Sequence, residues 1–302
     1  MIGHIKELAF LEKLATEDRL AHGYIFFGAD GVGKRGVAMH LAEFLEKQEP
    51  GPSASTSAVS SVPNGSGFKR ILQDAKVVTP DDPSATLRAS AGTIGIDAVR
   101  EARQWMWQKP AMSPRRTLII DGAENLTGEA QNALLKISED IPGAGLIILI
   151  TRDPELLQET LASRFQEVFF SIVPVSEIVS WLQGEHKVPK EKAEKAGSRS
   201  LGRPGLAYRL CFDDAFRASL NTAEKFLNGG LPAGSPALKE FVKEETFDLA
   251  GFLDAAILVL SWRGVSKVSA PLWHQLVSLR EQVSRLNLNP RIQLEALAQA
   301  MQ

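Results

Sequence analysis

RTLIIDGAENLTGEAQNALLKISEDIPGAGLIILITRDPELLQETLASRFQ, residues Arg116 to Gln166, is the stretch that decides the fold. Thr117 to Ile120 is a short β-rich apolar run that ends in Asp121. A buried parallel strand of this kind delivers a carboxylate to the carboxyl edge of a sheet. Thr127 is placed to cap a helix with Ala130, Ala133, Leu134 and Ile137 on one face, ended by Pro142 and Gly143. Leu146 to Ile150 reads as a second buried strand with Thr151 at its tip, and a further helix leads to Ser163, Arg164 and Phe165. Strand, acid, helix, strand, polar tip and exposed arginine is the layout of an ATPase half-site.

Working outward, the N-terminal side supplies a phosphate cradle. Ile5 to Leu20 has the pattern of an amphipathic helix, and Ile25 to Phe27 that of a strand. Gly28-Ala-Asp-Gly31-Val-Gly33-Lys34-Arg35 follows the strand and opens a helix running to Lys47. This is the phosphate loop GxxxxGK[ST] in all but its last position. Its glycines let backbone N–H groups face phosphate oxygens, the helix N-terminus adds a favourable dipole, and Lys34 reaches the terminal phosphates. Arg35 is the departure, because the usual hydroxyl at that position ligates magnesium. An arginine cannot bind a cation, and Arg35 falls where the cation would sit.

Bulk properties bound the rest. At 302 residues and 44% hydrophobic content the chain is long enough for two or three domains with ordinary cores. No apolar run reaches the roughly 18 residues of a membrane span. The leading MIGHIKELAF lacks the basic-then-apolar order of a signal peptide, so a cytoplasmic location is expected. A single cysteine, Cys211, excludes an internal disulfide framework, and the five histidines lie far apart, so no local metal motif is present. The net charge of −2 implies that any DNA contact is local or shared with partners. Residues 51–66, GPSASTSAVSSVPNGS, read as a flexible low-complexity insertion, and Lys76-Val77-Val78 as the next strand. Ser176 is placed to cap a helix through Trp181, and Pro189 to Ala196 gives a second short helix. Beyond Phe212 the spacing is helical, with Phe252, Ala256, Val259 and Leu260 in one set and Leu272, Leu276 and Leu279 in another; residues 229–236 form a loop.

Several segments together resemble the clamp-loader family of bacterial DNA polymerase III, of AAA+ type, and within it the delta-prime branch. NALLKISEDIP, beginning at Asn132, is similar to the family's NALLKxLEEPP block. Ala162-Ser-Arg-Phe-Gln166 is similar to its SRC motif, with Phe165 where cysteine is usual. Ile94-Gly-Ile-Asp-Ala-Val-Arg-Glu resembles IxIDxIRE, and Leu286-Asn-Leu-Asn-Pro-Arg-Ile-Gln-Leu-Glu resembles the NxNxRLxLE ending of collar domains. The fold implied is an α/β P-loop core with a parallel sheet over 1–172, a small helical lid over 173–211 and an all-α collar over 212–302.

The resemblance also implies roles. Asp121 takes the magnesium-coordinating position and Thr151 the polar sensor, although a simple capping role suits Thr151 as well. The next position should be a water-orienting glutamate and is Gly122; Glu124 only starts the following turn. Gly202-Arg-Pro-Gly-Leu-Ala resembles the second sensor segment, yet the sensor arginine position falls on Gly205, which leaves Arg203 a surface arginine. The family's insertion carries a four-cysteine zinc module, and none of those cysteines exists at 51–66. The nucleotide-binding set is therefore Gly28, Gly31, Gly33, Lys34, Arg35, Asp121 and Thr151, holding ATP or ADP without hydrolysis and with no zinc. Ser163 and Arg164 are the catalytic pair, acting in trans on a neighbouring subunit, although a salt-bridged surface role suits Arg164 as well. Expected partners are the gamma/tau motor subunits, the delta subunit, and, through the complex, the sliding clamp and primer-template DNA. The alternatives are an ATP-hydrolysing motor subunit of gamma/tau type and a degenerate scaffold in another nucleic-acid complex.

Overall fold

A computed structural model describes residues 2–47, 72–80, 92–141, 143–228, 247–263, 270–283 and 288–300. The insertion expected at 51–66, the loop at 229–236, Pro142 and the first two residues of the collar ending lie outside them. The chain divides into two compact units, residues 1–206 and 207–302.

In the first unit, α1 (Ile5–Thr16) precedes β1 (Gly23–Phe27) and α2 (Lys34–Lys47). Next come β2 (Ala75–Val78), α3 (Ile96–Met106), β3 (Arg116–Asp121) and α4 (Gly128–Glu139). The unit continues with β4 (Gly145–Thr151), α5 (Glu159–Ala162) and β5 (Gln166–Phe169). Helices α6 (Val175–Gly184) and α7 (Lys190–Arg199) follow, and α8 (Pro204–Phe212) begins there and runs into the second unit.

The described strands form one parallel sheet in the order β2-β3-β4-β1-β5. Its register aligns Asp121 with Ile150 and Phe27 with both Thr151 and Phe169, so the four strands at the site end together. Alternation decides the layers, because successive side chains of a strand point to opposite faces. Ile25, Leu118, Ile120, Ile147 and Leu149 pack with Ala98, Val99, Leu134 and Ile137 of α3 and α4. Tyr24, Phe26, Ile119, Leu146, Ile148 and Ile150 pack on the other face with Leu11, Val37, Leu41 and Leu45 of α1 and α2. Each such fully buried side chain contributes about 1.5–3 kcal/mol. Both faces covered explains why these strands read as continuous apolar runs.

Thr127 caps α4 as expected, its Oγ1 accepting from the Ala130 N–H at 3.2 Å. Three local readings are corrected. The first helix stops at Thr16, because Asp18 adopts a left-handed φ of 51° and Leu20 turns inward to burial. Ser176 is not a cap: α6 starts at Val175 behind Pro174, whose carbonyl accepts from Glu177 N at 3.0 Å, and no side chain caps it. The helix expected to lead to Ser163 is two pieces, a 3₁₀ turn Pro154–Leu156 and the short α5, separated by extended Leu157. The helix expected over Pro189–Ala196 is α7, with Pro189 at its N-cap.

The described residues of the second unit form helices and short connections with no strand among them, as the spacing predicts. After the remainder of α8 it contains α9 (Asp214–Leu227), α10 (Leu249–Arg263), α11 (Ala270–Val283) and α12 (Pro290–Ala300). Phe226, Phe252, Leu253, Ala256, Leu276 and Leu294 are central to its core. Arg280 on α11 forks onto Asp254 on α10 at 2.7 and 3.0 Å.

Candidate functional site

The site begins where β1 ends. Gly28 has a φ of 136°, and a Cβ there would lie 2.3 Å from the Phe170 carbonyl, so only glycine allows the loop to leave the sheet at this point. Gly31 and Gly33 also take positive φ, and Lys34 opens α2. The Lys34 ammonium is buried and donates to the carbonyls of Gly28 and, at 3.0 Å, Ala29. Burial lowers its pKa, against the attraction of Asp30, Glu124 and Asp121. Buried His4 braces the loop from below, donating from Nε2 to the Val32 carbonyl at 3.0 Å.

Arg35 stands one residue into α2, and its Nη1 donates to Asp121 Oδ2 at 3.3 Å. Burial pushes the Asp121 carboxyl up, and the nearby Arg35 and Lys34 charges oppose that shift. Gly122 follows with a φ of 85°, starting the 3₁₀ turn Ala123–Asn125. That turn swings Glu124 back toward the loop. Glu124 therefore lines the same cavity as Lys34 and Asp121, with its Oε1 accepting from Arg152 Nε at 2.9 Å and its Oε2 buried without a hydrogen-bond partner. Arg152 also lies 3.7 Å from Asp30. Thr151 lines the cavity, but its hydroxyl is engaged in the local turn, donating to the Asp153 carbonyl at 3.0 Å.

The lid closes on this loop through backbone. Gly205, in the first turn of α8, donates its N–H to the Gly31 carbonyl at 2.8 Å, and a Cβ on Gly205 would come within 3.1 Å of Gly31. A sensor arginine at 205 does not fit this contact. Arg203 is half-buried beside the loop rather than a free surface residue: burial lowers its pKa and Asp30 opposes that. The resulting cavity, about 730 Å³, reaches Trp181 of α6. Of the seven residues the sequence brought to attention, Gly31, Gly33, Lys34, Arg35, Asp121 and Thr151 line this cavity, and Gly28 sits at the base of the loop, its carbonyl accepting from Lys34. Asp30, Glu124 and Arg152 were not anticipated as members. Divalent-cation chemistry does not fit these residues, because a guanidinium replaces the hydroxyl ligand and already holds Asp121.

Ser163 and Arg164 lie elsewhere. Ser163 ends α5, its hydroxyl donating to the Thr160 carbonyl at 3.3 Å. Arg164 follows, and its Nη2 pairs with Glu139 Oε1 at 2.9 Å, both side chains remaining substantially exposed. Phe165, where the motif has cysteine, is buried against Gly23; a Cβ on that glycine would fall 2.4 Å from the ring. Because Gln166 pairs with Tyr24, Arg164 stands at the amino edge of the sheet, whereas the phosphate loop leaves the carboxyl edge after Phe27.

Restoring the missing acid is expected to fail. A Cβ at Gly122 would lie 2.9 Å from Asn125 Nδ2 and 3.2 Å from Pro80 Cγ. Gly122→Glu should cost about 1–2 kcal/mol for the left-handed backbone alone. It should lower the melting temperature without adding turnover; phosphate release above that of the parent would overturn this account.

Sheet order, phosphate loop, helical lid and helical second unit define a P-loop protein of AAA+ type. The chain belongs to the family described as DNA polymerase III, delta subunit, which matches residues 3–173. It is 32% identical over 198 residues to the DNA polymerase III subunit delta' of Escherichia coli, covering 65% of this chain and 56% of that one. It is 34% identical over 180 residues to the subunit gamma/tau of Mycobacterium tuberculosis, covering 58% of this chain and 28% of that one. The match thus spans little more than half of the first relative and less of the second. In fold it is similar to a DNA polymerase III gamma subunit-related protein of Thermotoga maritima, with a TM-score of 0.55 and 21% identity over 97% of this chain and 98% of that one.

Proposed function

We propose that the chain is a delta-prime-type subunit of the DNA polymerase III clamp loader, which does not itself turn over ATP and lends Arg164 to a neighbouring motor subunit. The observation that carries this reading is the opposition of two sheet edges. The carboxyl edge bears a nucleotide cavity whose hydrolytic parts are altered: Arg35 pairs with Asp121, Gly122 replaces the water-orienting acid, and Gly205 replaces the sensor arginine. The amino edge bears exposed Arg164. From Tyr24, opposite Gln166, to Gly28 the strand covers roughly 13 Å at the usual rise per residue. Arg164 therefore cannot serve its own phosphate loop and is free to face another subunit's.

In this reading the cavity holds ATP or ADP unhydrolysed, through Gly28, Gly31, Gly33 and Lys34. The core (1–172) and lid (173–211) form the ring layer, and the collar (212–302) packs with those of gamma/tau and delta in a cytoplasmic hetero-oligomer that loads a sliding clamp at primed DNA. Phosphoryl transfer depends on positioning and charge neutralisation, both weakened here. The isolated protein should release phosphate at the rate of buffer, unchanged by Lys34→Ala. Turnover of about 0.1 per second or more, lost in Lys34→Ala, would instead identify a motor subunit. The gamma/tau relatives favour that second reading; Gly122 argues against it.

A further inference from the structure

We propose that the phosphate-loop cavity takes a nucleoside di- or triphosphate without a divalent cation, with Arg35 supplying the positive charge between Asp121 and the phosphates. This rests on the nucleotide-binding reading above and goes beyond it by naming the ionic form of the ligand.

The argument is a local charge census. Five carboxylates line the cavity; setting aside Glu43 and Glu185, the three that act on Lys34 of the phosphate loop are Asp30, Asp121 and Glu124. Each already faces a basic side chain of the same chain. Asp121 has Arg35 at 3.3 Å, Glu124 has Arg152 at 2.9 Å, and Asp30 has Lys34 at 3.9 Å and Arg152 at 3.7 Å. In the ordinary phosphate loop, magnesium sits between the hydroxyl after the lysine and the phosphates. Here the hydroxyl is absent and a guanidinium occupies the acid's near side. A magnesium ion demands near-octahedral oxygen ligation and gives up water reluctantly. To enter, it would have to displace Arg35 from Asp121 and then lie beside that displaced cation. Among the described residues no group of three His, Cys, Asp or Glu offers another place for a metal.

The same arginine suits the phosphates. Its side chain is 57% exposed, and Nη1 is the nitrogen committed to Asp121. Nε and Nη2 can donate to phosphate oxygens while that ion pair stands. A planar guanidinium binds such oxygens in pairs, and it keeps its charge at every working pH. Arg35 thereby bridges carboxylate and phosphate as the cation would. The arrangement also accounts for a site that holds nucleotide but does not turn it over: a tethered arginine neutralises ground-state charge but cannot hold an attacking water.

The test is an equilibrium titration of the full-length chain with ADP and with ATP, once with magnesium in excess and once with EDTA, on the parent and on Arg35→Thr. Thermal melts on the same samples check folding. The parent should bind with dissociation constants that differ by less than about threefold between the two buffers. Arg35→Thr restores the hydroxyl and frees Asp121; it should weaken binding in EDTA by about tenfold or more and recover most of that with magnesium. Binding by the parent that tightens about tenfold with magnesium would overturn the proposal and leave the nucleotide reading standing. A folded Arg35→Thr protein that binds like the parent in EDTA would also overturn it. If neither nucleotide binds the folded parent in either buffer at millimolar concentration, the nucleotide reading itself fails and the proposal with it.

Discussion

Arg164→Ala should abolish most of the DNA- and clamp-stimulated ATPase of a loader reconstituted with its motor and delta subunits, while leaving this chain folded. The two halves of that expectation have separate physical grounds. The Arg164–Glu139 pair joins side chains that are 42% and 48% exposed, and exposed pairs contribute about 0–1 kcal/mol. Its loss should lower the melting temperature by no more than about 4 °C in a unit of this size. The catalytic effect is of another order, since an arginine given in trans contributes about 10³–10⁵ in rate. Glu139 closes α4 and holds one nitrogen of Arg164, leaving the rest of the guanidinium outward. Arg164→Lys should recover a small part of the activity, because one ammonium does not reproduce two parallel hydrogen bonds to phosphate. The measurements are phosphate release and clamp loading by complexes carrying each variant, beside size-exclusion profiles. An alanine complex that assembles and loads clamps at the parental rate would remove Arg164 from the mechanism.

The parts of this site that were legible in the sequence are those written in side-chain type and period. Short apolar runs, Thr117 to Ile120 and Leu146 to Ile150, announced buried parallel strands, and Thr127 three places before Ala130 announced a capped helix. Glycine spacing announced the loop, because Gly28, Gly31 and Gly33 all hold backbone angles that other residues rarely adopt. What was not legible is carried by backbone or by local turns. The lid meets the loop through the Gly205 N–H and the Gly31 carbonyl, groups that every residue but proline possesses. Arg203 looked superficial because the sequence has no signal for how closely the residue preceding α8 approaches Gly31. Glu124 entered the site through a 3₁₀ turn, whose three-residue period brings it around past Gly122. The end of α1 depended on Asp18 taking a left-handed conformation, a choice a non-glycine residue does not advertise.

Asp74→Ala should strongly destabilise the first unit, although nothing in its neighbourhood reads as functional. The Asp74 side chain has no solvent exposure. Its carboxylate accepts from the backbone N–H groups of Ala111 at 2.8 Å, Met112 at 2.6 Å and Ser113 at 2.8 Å. Its own N–H donates to buried Glu46 Oε1 at 2.8 Å. The guanidinium of Arg116, held by the Lys109 carbonyl and stacked 4.7 Å from the Trp105 ring centre, lies 3.9 Å away. Asp74 thus ties the end of α2 to the turn that feeds β3, the strand that ends in Asp121. Alanine would leave three backbone donors and one arginine facing a void. Breaking a buried charged network by removing one partner costs about 3–5 kcal/mol. At a few degrees per kcal/mol, the melting transition should fall by about 10 °C or more. Asp74→Asn keeps the shape and one acceptor oxygen but turns an amide N–H₂ toward donors, so it should recover less than half of the loss. Calorimetry or circular dichroism on the three proteins measures this directly. Because Asp121 reaches Arg35 only if β3 is seated, nucleotide binding by Asp74→Ala should fall along with the melt. An alanine variant that melts within about 2 °C of the parent would show that water replaces the carboxylate at no great cost, and that Asp74 does not hold β3 in place.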